Sequence, residues 1–207
     1  MPKAAFRFLF VVLCVYVGLA LAWPAVGTGY RAFYRGLCNT VFYSVGGRAS
    51  VTFRPLDSAD EVMDTEMVLV NKALPGAFGT RPVSARYDGY IPASLVCALV
   101  VATPVSWRRR LFGLVGSMLA VHGFVLFRRW VSIVNTLSQG DAINAFHPPG
   151  WLKTVMGFLV EHVFASIVAS SFVMPVFVWM IVLFRRADWE RLRATAAARH
   201  ASLSTTA

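Results

Sequence analysis

Leu111-Phe112-Gly113-Leu114-Val115-Gly116-Ser117-Met118-Leu119-Ala120-Val121-His122-Gly123-Phe124-Val125-Leu126-Phe127, followed at once by Arg128-Arg129, is the stretch that decides the fold. As a helix, this uncharged run rises about 26 Å, against a bilayer hydrocarbon core of roughly 30 Å. Gly113, Gly116 and Ser117 are small enough to let a second helix backbone approach closely. The helical pattern extends past the two arginines toward Leu137. Arg108-Arg109-Arg110 stands immediately before the run.

Composition agrees with a lipid-exposed chain. Of the 207 residues, 57% are hydrophobic and 14% charged, with a mean hydropathy of +0.60, whereas a soluble domain is about half apolar and a quarter charged. The length suits one bundle and a small extramembrane part, with no room for a second large domain. The net charge of +10 is concentrated at the ends of hydrophobic segments. That placement points to membrane topology and anionic headgroups, and away from nucleic acid. Three cysteines make no complete disulfide set; Cys14 and Cys97 fall in apolar spans and Cys38 stands apart.

Outward from the central run, residues 1–27 read as a first transmembrane helix with Ala5 to Val26 as its apolar part and Lys3 and Arg7 in front. A signal peptide ending at Ala20-Leu21-Ala22 shares that pattern; the expectation is an uncleaved anchor. Residues 28–45 read as an interfacial amphipathic helix, with Tyr30, Phe33, Tyr34, Leu37, Val41 and Phe42 at helical spacing and Arg31 and Arg35 on another side.

Residues 46–89 turn to acids, prolines and glycines between short alternating runs: Ser50 to Arg54, Glu66 to Asn71 and Pro82 to Tyr87. These predict a small extracytoplasmic β subdomain. Val51 and Phe53, Met67 and Leu69, and Val83 and Ala85 form its inner face. It is too small for a core of its own and must lean on the helices.

Residues 90–184 predict a three-helix transmembrane region, with spans from Tyr90 to Val105, from Leu111 onward, and from Glu161 to Phe184, the last with Pro175 as a kink. The fold class expected is therefore membrane α-helical: about four transmembrane helices with the β subdomain inserted between the first and second. The basic residues Lys3, Arg7, Arg108 to Arg110, Arg185, Arg186, Arg191 and Arg193 place both termini in the cytoplasm and residues 185–207 in a cytoplasmic tail. The expected localisation is the inner (cytoplasmic) membrane.

This topology puts Asp88, Arg128, Arg129, Glu161 and His162 in one layer at the outer surface, beside Tyr90. Two readings fit that layer. Arginines at helix ends reach for phosphates and neutralise nearby carboxylates; alternatively, the residues converge on a polar pocket that binds a partner. His162 brings the capacity to move protons near neutral pH. His122 reads as a bundle-facing hydrogen-bonding residue, and His147 lies in a loop without metal-ligand spacing. No phosphate-binding glycine loop, CxxC or nucleophile elbow occurs. No metal or other cofactor is expected.

Tyr90-Ile91-Pro92-Ala93-Ser94-Leu95, Ala102-Thr103-Pro104-Val105-Ser106-Trp107 with Arg108 to Arg110, then Gly113, Gly116 and a helix ending in Arg128-Arg129 together resemble the second half of the exosortase and archaeosortase family of membrane transpeptidases. The likeness covers Tyr87 to Phe184. It implies a thiolate nucleophile at the outer start of one helix, an arginine ending the next and a histidine opening a later one. Arg128 or Arg129 would be the arginine and His162 the histidine. The cysteine position falls at Asp88-Gly89-Tyr90, where none stands, and Cys97 is about 13 Å farther along a helix. The resemblance thus implies a retained scaffold acting as a non-catalytic accessory or assembly subunit. It would hold a membrane protein partner and contact membrane lipids. The alternatives are a membrane transpeptidase or peptidase using His162, Arg128, Arg129 and Asp88, or a structural or lipid-binding subunit of a larger complex.

Overall fold

The computed structural model describes residues 2–45, 47, 49–57, 62–74, 76–139, 147–164 and 169–183. Among them, six α-helices and a four-stranded antiparallel sheet make up the fold: α1 Pro2–Leu21, α2 Trp23–Phe42, β1 Ser44–Val45, β2 Ala49–Pro55, β3 Thr65–Asn71, β4 Phe78–Val83, α3 Ile91–Ala102, α4 Trp107–Gln139, α5 Gly150–Phe158 and α6 Met174–Leu183. Wide π turns at Arg86–Tyr90, Leu159–Val163 and Ala169–Val173 lead into or out of α3, α5 and α6.

The expected first span, Ala5 to Val26, ends early because the chain bends by 74° between α1 and α2. Pro24 sits in the first turn of α2. It has no N–H to give and its ring excludes the carbonyl four residues back, so the apolar run breaks there. Tyr90 locks the elbow: its hydroxyl donates to the Leu19 carbonyl at 2.6 Å, and its ring lies 4.9 Å from that of Trp23. The amphipathic helix is therefore longer than 28–45 at its start, and Trp23, Gly27, Tyr34, Cys38 and Phe42 form its buried stripe. Phe33 and Val41, expected in that stripe, are exposed.

The sheet runs in the order β1-β2-β3-β4, with Val51 opposite Leu69, Phe53 opposite Met67 and Met67 opposite Arg81. Period-2 alternation does what the sequence predicts: Val51, Phe53, Met67, Leu69 and Val83 are all buried on one face. That face packs on Tyr34, Cys38 and Phe42 of α2 and on Val125, Ile133 and Leu137 of α4. Asn39 ties the layers together, accepting from the Phe53 N–H at 2.7 Å and donating to the Phe53 carbonyl at 2.9 Å. The last strand differs from expectation, since β4 ends at Val83. Ser84 Oγ accepts the Tyr87 N–H at 3.2 Å, a helix-starting cap that turns the chain into α3. Pro82 then falls on the open edge of the sheet, where a missing N–H is tolerated.

By length and apolar composition, one described helix can cross a membrane, Trp107–Ser138, or two spans if the bent pair Ala5–Leu21 and Trp23–Phe42 counts as one. The four spanning helices expected from sequence are thus corrected. α3 has 12 residues and α6 has 10, about 18 Å and 15 Å long against a core of roughly 30 Å. Of the span expected from Glu161, the described residues show a π turn at Leu159–Val163 and a helical stretch at Ala169–Leu183, itself too short to pass as a spanning helix. Pro175 stands where the π turn Ala169–Val173 runs into α6. The small residues of α4 serve the contact anticipated for them, with Gly113 against Leu183 and Gly116 against Val182 of α6. Phe184 and the tail at 185–207 lie outside the described residues.

Candidate functional site

Ser84 starts the helical turn that carries Asp88 inward, and two turns of α4 beyond His122 bring Arg128 and Arg129 to meet it. Arg128 Nη1 donates to Asp88 Oδ1 at 3.1 Å, and Arg129 Nη2 donates to Asp88 Oδ2. Arg128 Nη2 also donates to the Phe164 carbonyl at 2.7 Å. The side chains retain only 9% exposure for Asp88, 15% for Arg128 and 9% for Arg129, so solvent screening of this cluster is weak.

These groups line a cavity of about 230 Å³ with Arg81, Ser132, Val62, Met63, Val160 and Phe164. Arg81 Nη1 approaches Ser132 Oγ at 3.4 Å. Among the described lining residues, three guanidinium groups and one carboxylate are present, an excess of two positive charges. Among the described residues, the buried Nε–H of Arg129 has no acceptor. A carboxylate or similar anion is the chemistry that would balance the charge.

The other members of the expected layer are placed elsewhere. Glu161 and His162 are exposed and line a separate groove with Gly150, Lys153, Thr154, Gly157 and Phe158; the His162 ring stacks on Phe158 at 4.8 Å. Of the layer expected at the outer surface, Asp88, Arg128 and Arg129 thus come together, and Glu161 and His162 lie apart from them. The wide turn at Leu159–Val163 directs Val160 to the cavity and presents the Phe164 carbonyl to Arg128. Tyr90 is close to Asp88 in sequence but works at the α1–α2 elbow.

His122 behaves as expected of a bundle-facing hydrogen bonder. Its Nδ1 lies 2.8 Å from the Met118 carbonyl, which requires the hydrogen on Nδ1 and leaves Nε2 to accept from the Tyr30 hydroxyl at 3.1 Å. Gly89 makes room for this link, because a Cβ there would collide with the Tyr30 hydroxyl. His147 is exposed. Among the described residues, no three His, Cys, Asp or Glu side chains gather in a metal-binding group.

Arg81 and Ser132 are cavity residues that the sequence reading missed. A signal existed for Arg81: it pairs with buried Met67, so alternation turns it to the inner face of an edge strand, an unusual place for an arginine. Comparison with protein-family models, curated proteins and solved structures finds no match for this chain.

Cys38 lies at the sheet-bearing end of α2, where burial pushes its thiol up to about 12. It should stay unmodified by iodoacetamide at pH 8 in the folded protein and react once SDS unfolds the chain, as mass spectrometry of the alkylated protein would report. Labelling of the folded protein would disprove that environment.

Proposed function

We propose that this protein is a membrane-embedded docking subunit without catalytic activity that holds an acidic group of a partner protein in the Asp88–Arg128–Arg129 cavity. The carrying observation is the cationic excess at that cavity among the described residues, with Arg81, Arg128 and Arg129 against Asp88 alone. The partner's group would be a side-chain or C-terminal carboxylate, accepted by Arg128 and Arg81 beside the standing ion pairs. The open edge of β4, whose Arg81, Pro82 and Val83 line the same cavity, offers room for an extended segment to run alongside. The described lining holds no cysteine, histidine or lysine, which favours binding over nucleophilic chemistry.

In this reading the scaffold is exosortase-like, and the helices sit in the inner membrane with both termini cytoplasmic and the sheet outside. Large apolar side chains exposed on three helices support the embedding: Phe6, Leu9, Phe10 and Leu13 on α1, Phe112, Val115 and Leu119 on α4, and Phe177 and Ile181 on α6. Such an apolar girdle is at home in lipid and unfavourable in water. The short helices α3 and α6 would complete the bundle beside α4.

Affinity purification from native membranes in mild detergent tests the docking role. The wild-type chain should retain a partner that Arg128→Gln loses and Arg81→Gln retains more weakly, while both variants elute as monodisperse species. Equal retention by Arg128→Gln would overturn the reading.

A further inference from the structure

A second cationic cavity lies at the elbow between α1 and α2. It has a volume of about 350 Å³ and is lined by Ala20, Leu21, Trp23, Pro24, Arg31 and Arg86. The two arginines come from different elements, yet both lie over the Trp23 ring, at 5.2 Å for Arg31 and 5.6 Å for Arg86. Arg86 also lies 5.6 Å from the Tyr87 ring. Stacking on an aromatic face holds a guanidinium in place without consuming its N–H donors.

The charges do not cancel. Arg31 Nε stands 3.8 Å from Asp64 Oδ2, a separation beyond a hydrogen bond. Asp64 already accepts from the Ala85 N–H at 3.1 Å and the Thr65 hydroxyl at 2.8 Å. Arg86 has no carboxylate partner among the described residues, and the Nε–H groups of both arginines are buried without acceptors there. Counting Asp64, one positive charge remains at the cavity among the described residues.

The surroundings indicate what would fill it. Leu21, Val17, Leu13 and Leu9 are all exposed on α1 and recur every four residues, so they make one apolar stripe leading away from the cavity. A ligand with an anionic head and a long apolar tail matches both features together.

We infer that the Arg31–Trp23–Arg86 cavity binds the phosphate of an anionic phospholipid, whose acyl chains lie along the Leu21-to-Leu9 stripe. The inference rests on the embedding of α1 proposed above but not on the docking cavity. Two fork-shaped donors suit a phosphate, and the surplus positive charge disfavours a choline headgroup.

Native mass spectrometry of the full chain in maltoside detergent supplies the test, with dioctanoyl phosphatidylglycerol, dioctanoyl phosphatidylcholine and inorganic phosphate as probes. One phosphatidylglycerol should bind per chain, about tenfold more tightly than phosphatidylcholine, and Arg31→Gln/Arg86→Gln should lose about tenfold in affinity. Ala20→Trp fills the cavity while leaving both arginines in place, and it should abolish binding even if the double variant fails to fold. Arg128→Gln should bind the lipid normally. Unchanged phosphatidylglycerol binding in Ala20→Trp would overturn the proposal. So would equal competition by inorganic phosphate, which would point to a soluble phosphate ligand. Loss of lipid in Arg128→Gln alone would place the lipid in the docking cavity and overturn both assignments.

Discussion

Asp88→Ala is expected to destabilise the fold by about 3–5 kcal/mol, the usual cost of leaving buried charge without its counter-charge. The substitution strands two guanidinium groups at once, because Arg128 Nη1 and Arg129 Nη2 both end on the Asp88 carboxylate. Arg128 keeps its bond to the Phe164 carbonyl; Arg129, almost fully enclosed and with no acceptor for its Nε among the described residues, fares worse. Converting the cluster to apolar residues together, as Asp88→Leu/Arg128→Leu/Arg129→Met, should recover most of the loss, since no buried charge then remains. Thermal denaturation in detergent, followed by near-UV circular dichroism, would read both variants. A loss under about 1 kcal/mol for Asp88→Ala would show that water reaches and screens the cluster. The triple variant carries a functional consequence as well: it should fold and yet bind no partner, separating the architectural role of the ion pairs from their role in docking.

Depth was legible in the sequence and lateral position was not. Counting helix rise along α4 puts Arg128 and Arg129 at the level of Asp88, and the three meet. The same count applied backwards from Phe184 brings in His162, but it assumes one straight helix. The wide turns at Leu159–Val163 and Ala169–Val173 break that assumption, each adding a residue to the turn and rotating the side chains beyond it. From this segment it is a backbone carbonyl, that of Phe164, that reaches Arg128. The inner face of the sheet was legible because Val51, Phe53, Met67 and Leu69 alternate strictly. The end of β4 was not, because Val83 and Ala85 continue the alternation into a segment where Ser84 caps a helical turn. The elbow at Pro24 was hidden by the apolar residues on both sides of it, whose hydropathy reads as one continuous span.

Phe53→Ala should cost about 3–5 kcal/mol, the range for truncating a large aromatic residue in a packed core. Phe53 is buried between the rings of Tyr34 and Phe42, with centroids at 6.5 Å and 6.2 Å, so the vacated volume lies at the centre of the contact between α2 and the sheet. The backbone bonds from Asn39 to Phe53 remain available to the variant. They hold one strand, however, and cannot replace the apolar contact that fixes the whole sheet. A sheet of this size has little stability alone, so weakening its seat loosens β4 and with it Arg81, Pro82 and Val83, which line the cavity proposed for docking. On the proposed embedding, the helices need no such seat to stay in lipid. Phe53→Ala should therefore fractionate with membranes as the wild type does while losing the docked partner, with faster amide hydrogen exchange across β2, β3 and β4 than across the first half of α4. Equal acceleration in α4 would mean instead that the sheet and the helices unfold as one cooperative unit.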